Sequence, residues 1–213
     1  MSLILNLETS TKNCSVSIAK NGICLTSVEE CFQEYSHSEK LHTFIEYAIN
    51  ISGFQIKDLK SICVSKGPGS YTSLRIGVSA AKGLCSALDI PLLSIDTLTI
   101  MISKINIKDA FFVPMIHAKS DFFYTSLFDK SKKRLDPIRI RKFDYDFFQN
   151  LFLKYKKVYF IGNIPVIYEK KFLFSKNRFL YKMPSAIDMV LVSYKKFCKK
   201  KFNNIEKFIP FYL

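Results

Sequence analysis

No apolar run in this chain of 213 residues approaches the roughly 20 residues that a membrane-spanning helix needs. The opening Met1-Ser2-Leu3 carries no basic region, and the apolar run behind it is too short for an export signal. None of the six cysteines (14, 24, 31, 63, 85 and 198) stands in a Cys-x-x-Cys pair. Reduced, mostly buried thiols in a cytoplasmic protein follow, rather than a disulfide framework. Histidine is scarce, and its placement argues against a metal site. His37 and His42 are five apart, so on a helix their rings point about 140° away from each other. His117 has no cysteine nearby and reads as a strand-end polar residue. Acidic residues are few, 18 against 32 Lys and Arg, which leaves a net charge of +14. Hydrophobic residues at 48% and charged residues at 23% nevertheless describe a globular chain, long enough for one domain or two small ones.

What is present begins with Ser65-Lys-Gly-Pro-Gly-Ser-Tyr-Thr-Ser-Leu-Arg-Ile-Gly77. It follows a short apolar strand, Ile62-Cys63-Val64, and precedes a small-residue run that fits a helix over 73–88. Strand, glycine turn and helix start form an anion-binding layout, because unpaired N–H groups at a helix N-terminus point at the ligand. Gly67 and Gly69 permit close backbone approach, and Pro68 stiffens the turn. The loop lacks the Gly-Lys-Ser/Thr ending of a P-loop and is not Gly-x-Gly-x-x-Gly. A tight turn without any ligand is the competing reading.

The N-terminal segment has a second such turn. Leu3–Leu7 is a buried-strand run, followed by Glu8-Thr9-Ser10-Thr11. In the next strand Cys14, Val16 and Ile18 alternate with Ser15 and Ser17. Asn21-Gly22 marks a hairpin, with the return strand over 23–28. An acidic residue and three hydroxyls thus occupy the turn between two strands of a meander. Actin-like and sugar-kinase-like ATPases hold phosphate and its metal ion at such a turn, and an ordinary polar turn has the same composition.

In order and spacing, "LNLETSTKNCSVSI", "YSHSEKL", "SKGPGSYTSLRIG" and "IPLLSIDTL" resemble the TsaB (YeaZ) family. The resemblance is dense over about residues 1–100. It then thins to "VPMIHAKSDFFYTSLF", "IGN" and "IPFYL". It implies an α/β protein with the actin-like ATPase or RNase H-like fold, in two lobes with the second reduced. It implies a non-catalytic scaffold that pairs with a TsaD-type catalytic subunit and a TsaE-type ATPase to make threonylcarbamoyladenosine beside the tRNA anticodon. A homodimer is the alternative when the chain is alone. No cofactor is implied, save a nucleotide held only where a partner closes the site. The chain departs from the family at Glu8, where Asp is usual, at Tyr71 and Ser73 in the loop, and at His117-Ala118-Lys119, where Asp-Ala-Arg is usual.

The resemblance places the subunit interface on the first two helices, 37–51 and 73–88. On the first, Ser36-His-Ser-Glu39 forms a capping box, and Leu41, Phe44, Ile45 and Ala48 line the apolar face. On the second, Ser73, Gly77 and Ala81 lie four apart, a spacing that lets helix backbones approach closely. Leu84 belongs to an apolar stripe with Ile76 and Ala80 that suits the sheet. Which stripe faces inwards is left open by the spacing. The degenerate phosphate-site residues are Glu8, Thr9, Ser10, Thr11, Gly67, Gly69, Ser70 and Arg75, with Arg75 anchoring the loop or a partner carboxylate. A residual ATPase or small-molecule kinase built on these residues is the runner-up function.

The charge is uneven. Residues 1–110 hold ten basic and ten acidic residues, whereas 111–213 hold 22 and eight. Phenylalanine shifts at the same point, with 17 of its 20 residues after 110. The expected division is therefore a first lobe over 1–105 and a basic, Phe-rich second lobe over 106–213. Contact with tRNA phosphates would use such charge. Compositional drift towards lysine gives it too, since 27 of the 32 basic residues are Lys. In the second half a meander (111–116, 122–128, 138–140) precedes helix 144–154, strand 157–161 and helices 164–171 and 185–202. This order is a shortened copy of the first half. It offers no second Asp/Thr/Gly phosphate turn, so the sequence reads as a fold whose ATPase centre is lost.

Overall fold

The computed structural model describes residues 2–31, 37–163 and 178–213. Ser36 of the expected capping box and the expected helix 164–171 lie outside these residues. The described chain forms two compact units, Met1–Ile100 with Pro184–Tyr212, and Met101–Met183 with Leu213.

In the first unit, β1 (Leu3–Glu8), β2 (Asn13–Lys20) and β3 (Ile23–Cys31) form an antiparallel meander. The β2–β3 hairpin turns at Asn21 and Gly22, both with positive φ (51° and 81°), the backbone that the Asn-Gly pair favours. β4 (Ser61–Ser65) joins β1 in parallel, and β5 (Leu92–Ile95) joins β4, giving the order β3-β2-β1-β4-β5. Helix α1 (His37–Ser52) links β3 to β4, and α2 (Tyr71–Leu88) links β4 to β5. α1 ends at Gly53, whose φ is +73°. Helix α3 (Thr97–Ser103) follows β5.

Alternation decides which face each side chain joins. Leu3, Leu5 and Leu7 of β1 and Cys14, Val16 and Ile18 of β2 pack under α1 and α2. Ile4 and Cys63 face the opposite way, against Ala186 and Met189 of the last helix, α5 (Ala186–Cys198). The two serines that alternate with the β2 apolar residues hold the start of that helix. Ser15 Oγ accepts a hydrogen bond from the Ala186 N–H, and Ser17 Oγ donates one to the Ala186 carbonyl.

The second unit repeats the pattern. β6 (Phe111–Lys119), β7 (Phe122–Thr125) and β8 (Arg139–Lys142) form an antiparallel meander. β9 (Val158–Ile161) joins β6 in parallel and β10 (Phe179–Leu180) joins β9, giving β8-β7-β6-β9-β10. Helix α4 (Tyr145–Lys154) links β8 to β9, with Asp144 accepting from the Phe147 N–H at its cap. Phenylalanine builds the core. The buried Phe148 ring lies 4.5 Å from that of Phe143 and 4.6 Å from that of Phe160. Two copies of a meander with a parallel extension are the α/β architecture expected from the sequence.

The units are not divided by one cut near residue 105. The chain returns to the first unit at Pro184, because the apolar face of α5 completes that unit's second layer. Other limits differ too, with β3 running to Cys31 rather than 28 and β6 to Lys119 rather than 116. α2 begins at Tyr71 rather than 73, α5 ends at Cys198 rather than 202, and β7 stops at Thr125. No described helix is long and apolar enough to cross a membrane.

Candidate functional site

The parallel strands β1 and β4 end side by side at Glu8 and Ser65, so the first turn meets the glycine loop. The meeting is direct. The Ser70 N–H donates to the Ser10 carbonyl at 2.8 Å, and the Thr9 N–H donates to Ser65 Oγ at 3.3 Å. Thr9 Oγ1 donates to the Ser73 carbonyl at 2.8 Å. The Ser10 N–H and hydroxyl both donate to Glu8 Oε1, at 2.6 and 2.5 Å. The Asn13 N–H donates to Thr11 Oγ1. All four residues of the first turn are buried. The structure therefore brings together Glu8, Thr9, Ser10, Gly67, Gly69 and Ser70, and commits the hydroxyl of Thr9 to the Ser73 carbonyl, that of Ser10 to Glu8 and that of Ser70 to the Ser73 hydroxyl.

Gly69 passes so close to Ser10 that an added Cβ would lie 2.8 Å from the Ser10 Cβ. Close approach is its reason for being glycine, since its φ is not in the left-handed region. Gly67 has φ +100° and would bring a Cβ to 2.7 Å from the Phe211 carbonyl oxygen. The Gly67–Pro68 peptide is cis.

Glu8 is completely buried, and its Oε2 has no hydrogen-bond partner among the described residues. Burial pushes its carboxyl up to about 7. The donors of Ser10 and the Ser65 hydroxyl pull the other way, and the charge of Asp188 adds to the rise.

Arg75 does not anchor the loop. It is exposed, and its guanidinium lies over the Tyr71 ring, 4.4 Å from the centroid. The Tyr71 ring in turn lies against that of Tyr212, tilted by 42° with centroids 4.9 Å apart. Tyr212 belongs to a C-terminal strap that local sequence patterns do not reveal. The Asn203 N–H donates to the Leu92 carbonyl, and Lys82 Nζ donates to the Glu206 and Phe208 carbonyls. The Phe211 N–H donates to the Lys66 carbonyl beside the glycine loop at 2.6 Å.

The positions expected to meet a partner mostly face inwards. Leu41, Phe44, Ile45 and Ala48 of α1 and Ser73, Gly77 and Ala81 of α2 are buried in the first unit. Gly77 is small because Thr9 lies against it, with Cγ2 3.2 Å from where a Cβ would stand. The stripe Ile76, Ala80 and Leu84, which suits a sheet by pattern, is the half-buried one. Between α1 and α2 runs an open groove of about 440 Å³, lined in part by Ile49, Phe54, Ile56 and Leu84. His42 opens onto this groove, while His37 is buried, which holds its imidazole below the usual range. His117 is exposed at the end of β6, with Nε2 2.7 Å from the Ser120 carbonyl oxygen.

A family model described as TsaD, tRNA N6-adenosine threonylcarbamoyltransferase, matches residues 32–204. The chain belongs to this family, in its TsaB branch. A TsaB protein of Buchnera aphidicola subsp. Acyrthosiphon pisum (strain APS), a tRNA threonylcarbamoyladenosine biosynthesis protein by name, is 33% identical over 135 residues. That match covers 62% of this chain and 60% of the relative. The TsaB protein of Escherichia coli (strain K12) is 31% identical over 98 residues, 46% of this chain and 42% of that one. The matched stretches thus span about half the length of these curated relatives. The solved structure of YeaZ from Pseudomonas aeruginosa superposes with a TM-score of 0.78 at 19% identity, covering 100% of both chains. The fold is therefore of the YeaZ kind.

Proposed function

We propose that this chain is an accessory subunit, without a catalytic centre of its own, in the making of N6-threonylcarbamoyladenosine in tRNA. The observation that carries this reading is the inward commitment of the first turn in a chain of the TsaB branch. Thr9 is spent on α2, Ser10 on Glu8, and Glu8 is buried with its carboxyl held towards the neutral form. A phosphate or metal ligand set needs such groups turned outwards and charged. ATP or ADP should accordingly bind the isolated chain no more tightly than roughly millimolar, about −4 kcal/mol, with no turnover. Isothermal titration checks this, and micromolar, Mg²⁺-dependent binding would favour the ATPase or kinase reading. A functional nucleotide contact would arise only where a partner closes the site.

The partner is a TsaD-type catalytic subunit, docked on the outer faces of α1 and α2. Tyr47 and Ile51 of α1 are 54% and 69% exposed, and the groove beside them is apolar and open. A TsaE-type ATPase would join this pair, and a second copy of the chain would take the same face when the partner is absent. A carboxylate introduced into an apolar contact is desolvated without a counter-charge. Leu84→Glu and Ile56→Asp should each abolish co-purification with the TsaD-type subunit of the same organism while the chain remains folded. Normal complex formation by both variants would reject this face.

A further inference from the structure

The second unit has an open cleft of about 580 Å³ between edge strand β8 and helix α4. Every residue of β8, Arg139-Ile140-Arg141-Lys142, is exposed. Arg139 stands opposite Thr125 and Arg141 opposite Phe123, both of which are buried. Directly opposed residues of an antiparallel pair share a face, so both arginines lie on the face that α4 covers. They are two residues apart, roughly 7 Å along the strand. This is comparable to the step between successive phosphates of a nucleic-acid strand.

The lining of this cleft carries three cations against two carboxylates. Among the described residues neither arginine nor Lys142 makes an ion pair. Both carboxylates of the lining are engaged by backbone instead. Asp136 accepts from the Leu127 N–H and the Ser126 hydroxyl, and Asp144 caps α4 through the Phe147 N–H. The floor supplies apolar surface at the half-buried Phe147 and Leu151 of α4, with Asn150 beside them as a polar side chain. Guanidinium forks next to an apolar, partly aromatic wall suit a phosphodiester with an unstacked base.

The surrounding charge favours a polyanion over a single phosphate. Residues 101–183 carry eighteen Lys and Arg against seven Asp and Glu. Lysine-rich drift accounts for most of this excess but not for its arginines. Four of the five arginines of the chain fall in this stretch, and two of them share one face of one short strand.

We propose that the β8–α4 cleft binds the phosphodiester backbone of an RNA strand, with Arg139 and Arg141 on successive phosphates. The proposal rests on the tRNA role above, and it adds a site on this chain. Its test uses the full chain and a labelled, unmodified tRNA transcript, with anisotropy read across a salt series. Arg139→Ala/Arg141→Ala should weaken binding roughly tenfold at moderate salt and flatten the salt dependence by one to two ions. Lys40→Ala/Lys57→Ala removes the same charge from the first unit and should change affinity by less than about twofold. Arg139→Lys/Arg141→Lys should fall between, since lysine keeps the charge without the fork.

Equal losses in the arginine and lysine double variants would overturn the proposal in favour of diffuse attraction. So would unchanged tRNA binding by the arginine variant. Displacement of tRNA by micromolar AMP would also overturn it, in favour of a mononucleotide pocket. The arginine side chains are exposed, so the double variant should melt within a few degrees of the parent. Complex formation with the TsaD-type subunit, measured on the same variants, separates this idea from the subunit reading. A retained complex with weakened tRNA binding supports the cleft. A complex that never forms, beside specific loss of tRNA binding in the arginine variant, faults the partner and leaves the cleft standing.

Discussion

Gly67→Ala should lower the stability of the first unit by about 2–4 kcal/mol, and Gly69→Ala by about 1–3 kcal/mol. The two penalties have different origins. At Gly67 the backbone lies at φ +100°, where an L side chain is strained, and a Cβ would also press on the Phe211 carbonyl. At Gly69 the backbone is ordinary, but a Cβ would enter the space of Ser10, whose carbonyl holds the loop through the Ser70 N–H. Neither neighbour is the mobile end of a long side chain, so neither clash relaxes cheaply. Denaturant unfolding gives the magnitudes. A truncation before Phe211 separates the terms, because it removes one of the two obstacles at Gly67 and neither at Gly69. In the truncated background the Gly67→Ala penalty should shrink while the Gly69→Ala penalty stays constant. The difference is a coupling energy between loop and strap. Undiminished penalties at both positions would mean that the strap does not rest on the loop in solution.

These two glycines also mark how far the sequence alone could be read. Strand, turn and helix around 65–77 follow from the apolar run, the Gly-Pro-Gly turn and the helix-compatible residues behind it, all of them local signals. So does the β2–β3 hairpin at Asn21-Gly22, and the division of β2 into Cys14, Val16 and Ile18 on one face and Ser15 and Ser17 on the other. The orientation of α2 was not legible. Ser73, Gly77 and Ala81 form one stripe and Ile76, Ala80 and Leu84 another, and helical spacing permits either to face the sheet. The choice is made by Thr9, more than sixty positions away, whose side chain occupies the space above Gly77 and bonds to Ser73. Small residues here make room for the first turn rather than for another helix.

The strap and the unit boundary were hidden for a similar reason. Residues 203–212 have no periodicity, and their place is fixed by hydrogen bonds to Leu92, Lys66 and Lys82. A composition shift near residue 105 is real, but composition cannot show that α5 returns to complete the first unit. The phenylalanine excess read better. It marks the second unit and also supplies its packing, through Phe143, Phe148 and Phe160.

The contribution of Glu8 to the stability of the chain should fall as pH rises from about 4.5 through about 7. Its carboxyl is raised from 4.5 to about 7, chiefly by burial. The folded state therefore holds this proton more tightly than the unfolded chain does. Where the native state binds more protons, stability decreases with pH. The contribution is full below the unfolded value and is lost once pH passes the folded one. A rise of this size corresponds to about 3 kcal/mol, since each unit is worth about 1.4 kcal/mol. The geometry agrees in direction. The two hydrogen bonds from Ser10 both fall on Oε1, and burial outweighs them together with the Ser65 hydroxyl, so the charged form remains the costlier one. Glu8→Gln retains an acceptor for Ser10 and cannot ionise. Burial of His37 adds an opposite trend that is common to both proteins, so the comparison is the difference between them, and the variant should gain on the parent as pH rises from about 5 to about 8. Parallel curves for the two proteins would show that Glu8 keeps an ordinary carboxylate value. An ionised Glu8 would return the first turn to the charge state that a bound cation requires, and with it the enzyme reading.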